Sequence, residues 1–152
     1  MKFLELRIPP PVVAAVFAGL AWLIAKAGPA WGDIPGVGKA GAAVMLLGLV
    51  LDTLGLVVFL RARTTVNPLS PDKASAVVTT GIYRYTRNPM YLGMLLVLTG
   101  WAVYLAAPFA LLAPAGFAAY ITRFQIRPEE KILLEKFGEP YREYLGRVRR
   151  WL

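Results

Sequence analysis

This 152-residue chain contains neither cysteine nor histidine, and its nine acids face seventeen lysines and arginines. Without cysteine there are no disulfides and no thiolate nucleophile, and most soft-metal sites are excluded. The absence of histidine argues further against structural or catalytic zinc, and it removes the commonest general base. Internal repeats and low-complexity runs are also missing.

What the chain has is apolar surface, gathered in blocks. Apolar residues make up 57% of it, and its mean hydropathy is positive. Blocks of this kind, without alternating charge, are the pattern of membrane spans. A net charge of +8 could suggest nucleic acid, but the basic residues flank the apolar blocks. That placement suits topology control and anionic lipid head groups, so the expected partner is the bilayer and not nucleic acid.

The expected fold class is an all-α membrane protein with about four transmembrane helices, a C-terminal helical hairpin and amphipathic cytoplasmic tail helices. Residues 1–152 read as one integral-membrane domain. Spans are expected at 8–26 and 40–60, a cytoplasmic loop at 61–90, a hairpin at 91–124 and a tail at 128–152. Met1–Arg7 forms a mixed-charge arm before Pro9-Pro10-Pro11. Ala25-Lys26-Ala27 only loosely resembles a signal cleavage site, so a retained span is expected. Trp31 reads as an interfacial anchor. Gly41, Gly48 and Gly55 recur every seven residues and so share a face on which another helix can approach closely. Asp52 lies on that face, either as a functional carboxylate or as an interhelical hydrogen-bond acceptor.

Asn67-Pro68 and Ser70-Pro71 should break the cytoplasmic loop, and Gly81 should end an extended piece in a turn. Ala106-Ala107-Pro108 leaves little room between the hairpin arms, and Pro114 should kink the second arm. In the tail, Pro128 suits a helix start, Gly138 a stop and Pro140 a restart. Tyr141, Tyr144, Leu145, Val148, Trp151 and Leu152 follow helical spacing, giving an amphipathic helix on the membrane surface that closes the hairpin mouth. The basic residues put both termini on the cytoplasmic side.

The rest of the chain is organised around Tyr83–Gly93, where an arginine-bearing loop enters an apolar segment. A residue before proline is pushed from helical geometry, so Pro89 should open a helix and aim Arg87, Asn88 and Tyr91 at its mouth. An interfacial belt of tyrosine and arginine explains the same composition. Glu129 and Glu130 follow Pro128, where acids also simply complement a helix dipole. The hairpin, however, brings Arg87–Tyr91 and Arg123–Glu130 to one end, forming a pocket with acids, arginines and aromatics at the lipid boundary.

The stretch Val77–Gly93 resembles the loop-to-helix motif of isoprenylcysteine carboxyl methyltransferases and related phospholipid methyltransferases. Arg127-Pro-Glu-Glu, Phe137-Gly138, Tyr141, Tyr144 and Val148-Arg149 resemble their second motif. The likeness covers about the second half of the chain and implies an integral-membrane methyltransferase using S-adenosylmethionine. By motif position, Val77, Val78, Tyr83, Asn88, Pro89, Met90, Tyr91 and Glu129 would contact that cofactor. Arg87, Arg127 and Glu130 would serve catalysis, and Arg123 and Gln125 the substrate. The family usually has histidine at the position of Asn88, and its eukaryotic members carry an arginine near Gln125. The implied substrate is a membrane lipid, or a lipidated or small amphiphilic acceptor. An acceptor already ionised at neutral pH needs no base, which favours a carboxylate or a thiolate, the carboxylate first; an amine would need Glu130 or a tyrosinate. Two other readings stand beside this one: a sterol-reductase-type membrane enzyme using NADPH, and a non-enzymatic four-helix binding subunit.

Overall fold

The computed structural model describes residues 4–32, 34–61, 69 and 71–152. Residues 1–3 of the N-terminal arm, the Asn67-Pro68 break and Ser70 lie outside the described residues. Among the described residues there is no strand. The helices are α1 (Pro10–Ala27), α2 (Val37–Arg61), α3 (Pro89–Tyr104), α4 (Leu112–Ile121), α5 (Arg127–Phe137) and α6 (Glu139–Arg147). Among the described residues three helical stretches are long and apolar enough to cross a membrane: Pro10–Ala27, Val37–Arg61 and the continuous Pro108–Phe137. α3 is apolar but shorter, about 24 Å at helical rise. The protein is an integral membrane protein, and leucines and valines of α1 and α2 face outward.

α3 is the centre of the bundle. On one side it meets α2 along a seam of glycines. A Cβ added to Gly48 would lie 2.6 Å from the Gly93 carbonyl, and one added to Gly100 would lie 2.6 Å from that of Gly41. The sevenfold glycine spacing on α2 is thus answered by glycines seven apart on α3. The backbones touch where any side chain would hold them apart. Asp52 packs its Cβ against Gly93, but the expected interhelical hydrogen bond is absent among the described residues. On the other side α1 covers the hairpin. Trp101 Nε1 donates to the Ala18 carbonyl at 3.1 Å, and Phe17 stands edge-on to Phe117 at 6.2 Å.

The hairpin turns at Ala106, whose φ of 50° is uncommon for a residue with a Cβ. The Trp31 N–H donates to the Ala106 carbonyl at 2.7 Å, so the first connection braces this tip. Pro114 does not kink the second arm. A tight turn at Pro108–Leu111 precedes α4, which places Pro114 in the first turn of α4, where its missing N–H costs nothing.

The irregularity falls lower, in a wide π-turn over Thr122–Ile126 that links α4 to α5 without a break. Arg127 N–H reaches back to the Thr122 carbonyl, one residue further than in an α-helix. Pro128 then has no N–H to offer the Phe124 carbonyl. The Leu6 N–H takes that acceptor at 3.0 Å, and Glu5 pairs with Arg123 at 3.1 Å. The N-terminal arm therefore completes a hydrogen bond that the proline leaves open.

The tail departs from expectation in two ways. α6 ends at Arg147, and Val148 is extended, because the Arg149 and Arg150 carbonyls are taken by the Tyr83–Gly93 loop. The apolar stripe of Tyr141, Tyr144 and Val148 is buried against Val77, Leu133 and Phe137. It is spent on protein and not on a membrane surface.

Candidate active site

The loop before α3 and the chain after α6 are sewn together at the mouth of the hairpin. Arg87 N–H donates to the Arg149 carbonyl at 3.0 Å, and Asn88 Nδ2 donates to the Arg150 carbonyl at 2.9 Å. Tyr144 Oη donates to the Tyr83 carbonyl at 2.8 Å. The Arg87 guanidinium crosses the gap. One of its terminal nitrogens donates to the Leu145 and Val148 carbonyls at 2.9 and 2.6 Å, the open acceptors at the end of α6. The other meets Glu130 at 2.7 Å. Arg150 grips both oxygens of the same carboxylate, at 3.0 and 2.7 Å. Arg87 and Glu130 keep only 10% and 15% of their side-chain surface exposed. A buried carboxylate with two guanidinium partners is a strut that sets geometry.

Beneath this strut is a cavity of about 830 Å³, counting its open mouth, walled mainly by Val77, Val78, Tyr83, Tyr91, Tyr141 and Tyr144. Phe59 at the end of α2 stands edge-on to Tyr83 at 5.1 Å. Glu129 and Glu130 both border the space, but their circumstances differ. Successive helical residues point about 100° apart, at 3.6 residues per turn. Glu130 therefore turns to the arginines, while Glu129 turns to Tyr91, whose hydroxyl donates to it at 3.0 Å. Among the described residues Glu129 has no ion pair. Arg87 Nε is buried with no hydrogen-bond partner among them, although the same side chain lines the cavity. The site thus offers an unpaired carboxylate and an unfilled guanidinium donor.

The tyrosines of the wall stay protonated. Burial, with the charge of Glu129 adding to it, pushes the Tyr83 and Tyr141 hydroxyls far above their usual range. Burial pushes Tyr144 up to about 12 against the opposing pull of Arg87 and Arg147. Hydrogen bonding to Glu130 raises Arg150 and keeps it charged. No tyrosinate base is available at neutral pH, and Glu130 has both oxygens committed.

Of the residues singled out in the sequence, Val77, Val78, Tyr83, Arg87, Asn88, Met90, Tyr91, Glu129 and Glu130 line this cavity. Pro89 does not; it is buried at the start of α3 beside Gly55. Gln125 is buried behind the wall, where its side chain hydrogen-bonds Tyr91. Arg127 is exposed, and Arg123 is half exposed and held by Glu5; neither reaches the cavity lining. Sequence reasoning passed over Arg150, Tyr141 and Tyr144 as site residues. The two tyrosines carried a signal, since they sit in the second motif; Arg150 carried none beyond its charge.

A family model described as phospholipid methyltransferase matches residues 37–140. The chain is 30% identical over 115 residues to protein-S-isoprenylcysteine O-methyltransferase B of Arabidopsis thaliana, covering 74% of this chain and 57% of that protein. It is 46% identical over 63 residues to an uncharacterized protein of Haemophilus influenzae, covering 41% of this chain and 100% of that protein. It also resembles the solved structure of a eukaryotic intramembrane Ras methyltransferase, an isoprenylcysteine carboxyl methyltransferase. The TM-score is 0.66 at 25% identity, over 96% of this chain and 53% of that chain. The chain spans somewhat more than half the length of the plant protein and of the solved chain.

Proposed function

The chain belongs to the phospholipid methyltransferase family, and from that premise we propose that it transfers a methyl group from S-adenosylmethionine to the carboxylate of a lipidic or amphiphilic acceptor. The site residues fit such a donor. The donor is cationic at sulfur and ammonium and anionic at its carboxylate, and when bound it supplies an electrophilic methyl group. Glu129, half-buried with only a hydroxyl partner, is the counter-charge for the cationic part. Arg87 Nε is the donor left for an anionic part. Val77, Val78 and the tyrosines exclude water, and Asn88 positions the tail that roofs the cavity.

The observation that carries this reading is the contrast between the two adjacent carboxylates, one neutralised twice and the other not at all. The missing bases support a carboxylate as the acceptor. Methyl transfer is an in-line displacement that needs alignment and dryness. A carboxylate arrives ready to react, whereas a protonated amine would find neither histidine, tyrosinate nor a free Glu130, and Glu129 is committed to the charge of the donor. The plant relative's name specifies S-isoprenylcysteine as its acceptor, and a lipid-linked carboxylate is the corresponding class here. The cavity opens on the side of the Arg61–Met90 loop and the tail, which the positive-inside pattern puts in the cytoplasm together with both termini.

The test is transfer of labelled methyl from S-adenosylmethionine to a prenylcysteine analogue by protein in nanodiscs. A base-labile ester is expected. Base-stable label would make the product an amine or thioether. Retention of NADPH without binding of S-adenosylhomocysteine would replace the reading by a reductase.

A further inference from the structure

A second cleft, of about 720 Å³ with its open mouth, is lined by Thr79, Thr80, Arg84, Arg147 and Val148. It shares no lining residue with the first; the consecutive residues Tyr83 and Arg84 face different spaces. No carboxylate lines it. Among the described residues, neither arginine has an ion pair or a side-chain hydrogen bond, nor does either threonine hydroxyl. Arg87 in the first cavity, by contrast, is neutralised by Glu130. Two guanidinium groups facing one cleft without a counter-ion repel each other, and an anion between them reverses the sign of that energy. The arginine fork matches phosphate oxygens two at a time, and a threonine hydroxyl adds a donor to the remaining ones.

The cleft also lies beside the end of a membrane-spanning helix. Gly81, beside Thr80, packs so closely on Val58 near the end of α2 that an added Cβ would lie 2.9 Å from it. Tyr85, next to Arg84 in the chain, is 73% exposed, as an interfacial aromatic would be. The two arginines come from different elements. Arg84 belongs to the loop that walls the first cavity, and Arg147 ends the helix that roofs it. We propose that this cleft binds a phosphate group, presented by the phosphodiester of an anionic bilayer lipid, and that its occupancy ties the 79–84 loop to α6. This site stands whether or not the first cavity performs methyl transfer.

Protein in neutral detergent is titrated with dihexanoyl phosphatidylglycerol, with phosphate-free dihexanoylglycerol and with inorganic phosphate, followed by native mass spectrometry and melting temperature. Saturable binding of phosphatidylglycerol is expected, together with a rise in melting temperature. Arg84→Gln with Arg147→Gln should weaken it roughly thirtyfold. Arg142→Gln with Arg149→Gln, which removes equal charge from the tail alone, should change it less than about threefold. Competition by inorganic phosphate assigns recognition to the phosphate alone; lack of competition, with binding still lost in the Arg84/Arg147 variant, assigns it to the headgroup as a whole. Equal losses in the two double variants, or equal binding of the phosphate-free lipid, would overturn the proposal.

Discussion

The α2–α3 seam and the cap over the hairpin mouth are adjacent, yet they are held by opposite means. In the seam side chains are missing: Gly41, Gly48, Gly93 and Gly100 bring backbone against backbone, and the attraction is close-packed dispersion. In the cap a polar network lies over a small apolar cluster, with carbonyls of residues 145–150 and the Glu130 carboxylate gathered around Arg87, Asn88 and Arg150. The difference shows what each region tolerates. The seam should be indifferent to salt and intolerant of volume; the cap should tolerate neither a missing charge nor an orphaned carbonyl. The cavity lies where the two meet, and the rigid frame they make holds Glu129 unpaired.

The largest effect should come from breaking the cap. Arg87→Ala leaves Glu130 half-neutralised and the Leu145 and Val148 carbonyls open, costing about 3–5 kcal/mol of stability. Arg87→Lys should recover only part of this, since an ammonium cannot copy the planar fork. Thermal denaturation in detergent measures both, and equal melting of Arg87→Ala and the parent would remove the strut from the account. Next comes the seam. Gly48→Val should cost about 1–3 kcal/mol by forcing α2 from α3, and its melting deficit should be the same at low and high salt. Gly19→Ala, where nothing lies within 4 Å of the added carbon, should be neutral or slightly stabilising. A salt-dependent Gly48→Val deficit would blur the contrast between the two regions.

The smallest effect tests the N-terminal arm. Glu5→Ala should cost up to about 1 kcal/mol in the parent. In the Pro128→Ala background it should cost less, because residue 128 then has its own N–H for the Phe124 carbonyl. An equal cost in both backgrounds would separate the arm from the proline. The same double-mutant comparison, read as melting temperature, isolates the coupling between them.

Local rules made much of this legible in the sequence. Pro89 announced the start of α3, Gly138 the stop of α5, and the sevenfold glycines of α2 a close helix contact; each depends on backbone sterics within a few residues. Two readings failed because tertiary structure decided them. Pro114 signals a kink only if its helix has already begun, and the Pro108–Leu111 turn delays that start. Residues 148–152 have helical spacing, yet their carbonyls are worth more to Arg87 and Asn88 than to another helical turn. Glu129 and Glu130 stood side by side with equal claims. Only the placement of Arg87 and Arg150, 43 and 20 residues away in sequence, separates a strut from a ligand-ready carboxylate.

The most direct test is calorimetric titration of S-adenosylmethionine into the parent and into Glu129→Gln in nanodiscs. Glutamine keeps the shape and can still accept from Tyr91, so the fold should melt at a similar temperature. Loss of the charge should weaken binding about tenfold or more. Equal affinity in the two proteins, or no affinity in the parent, would contradict the central claim that an unneutralised carboxylate in this cavity awaits a cationic methyl donor.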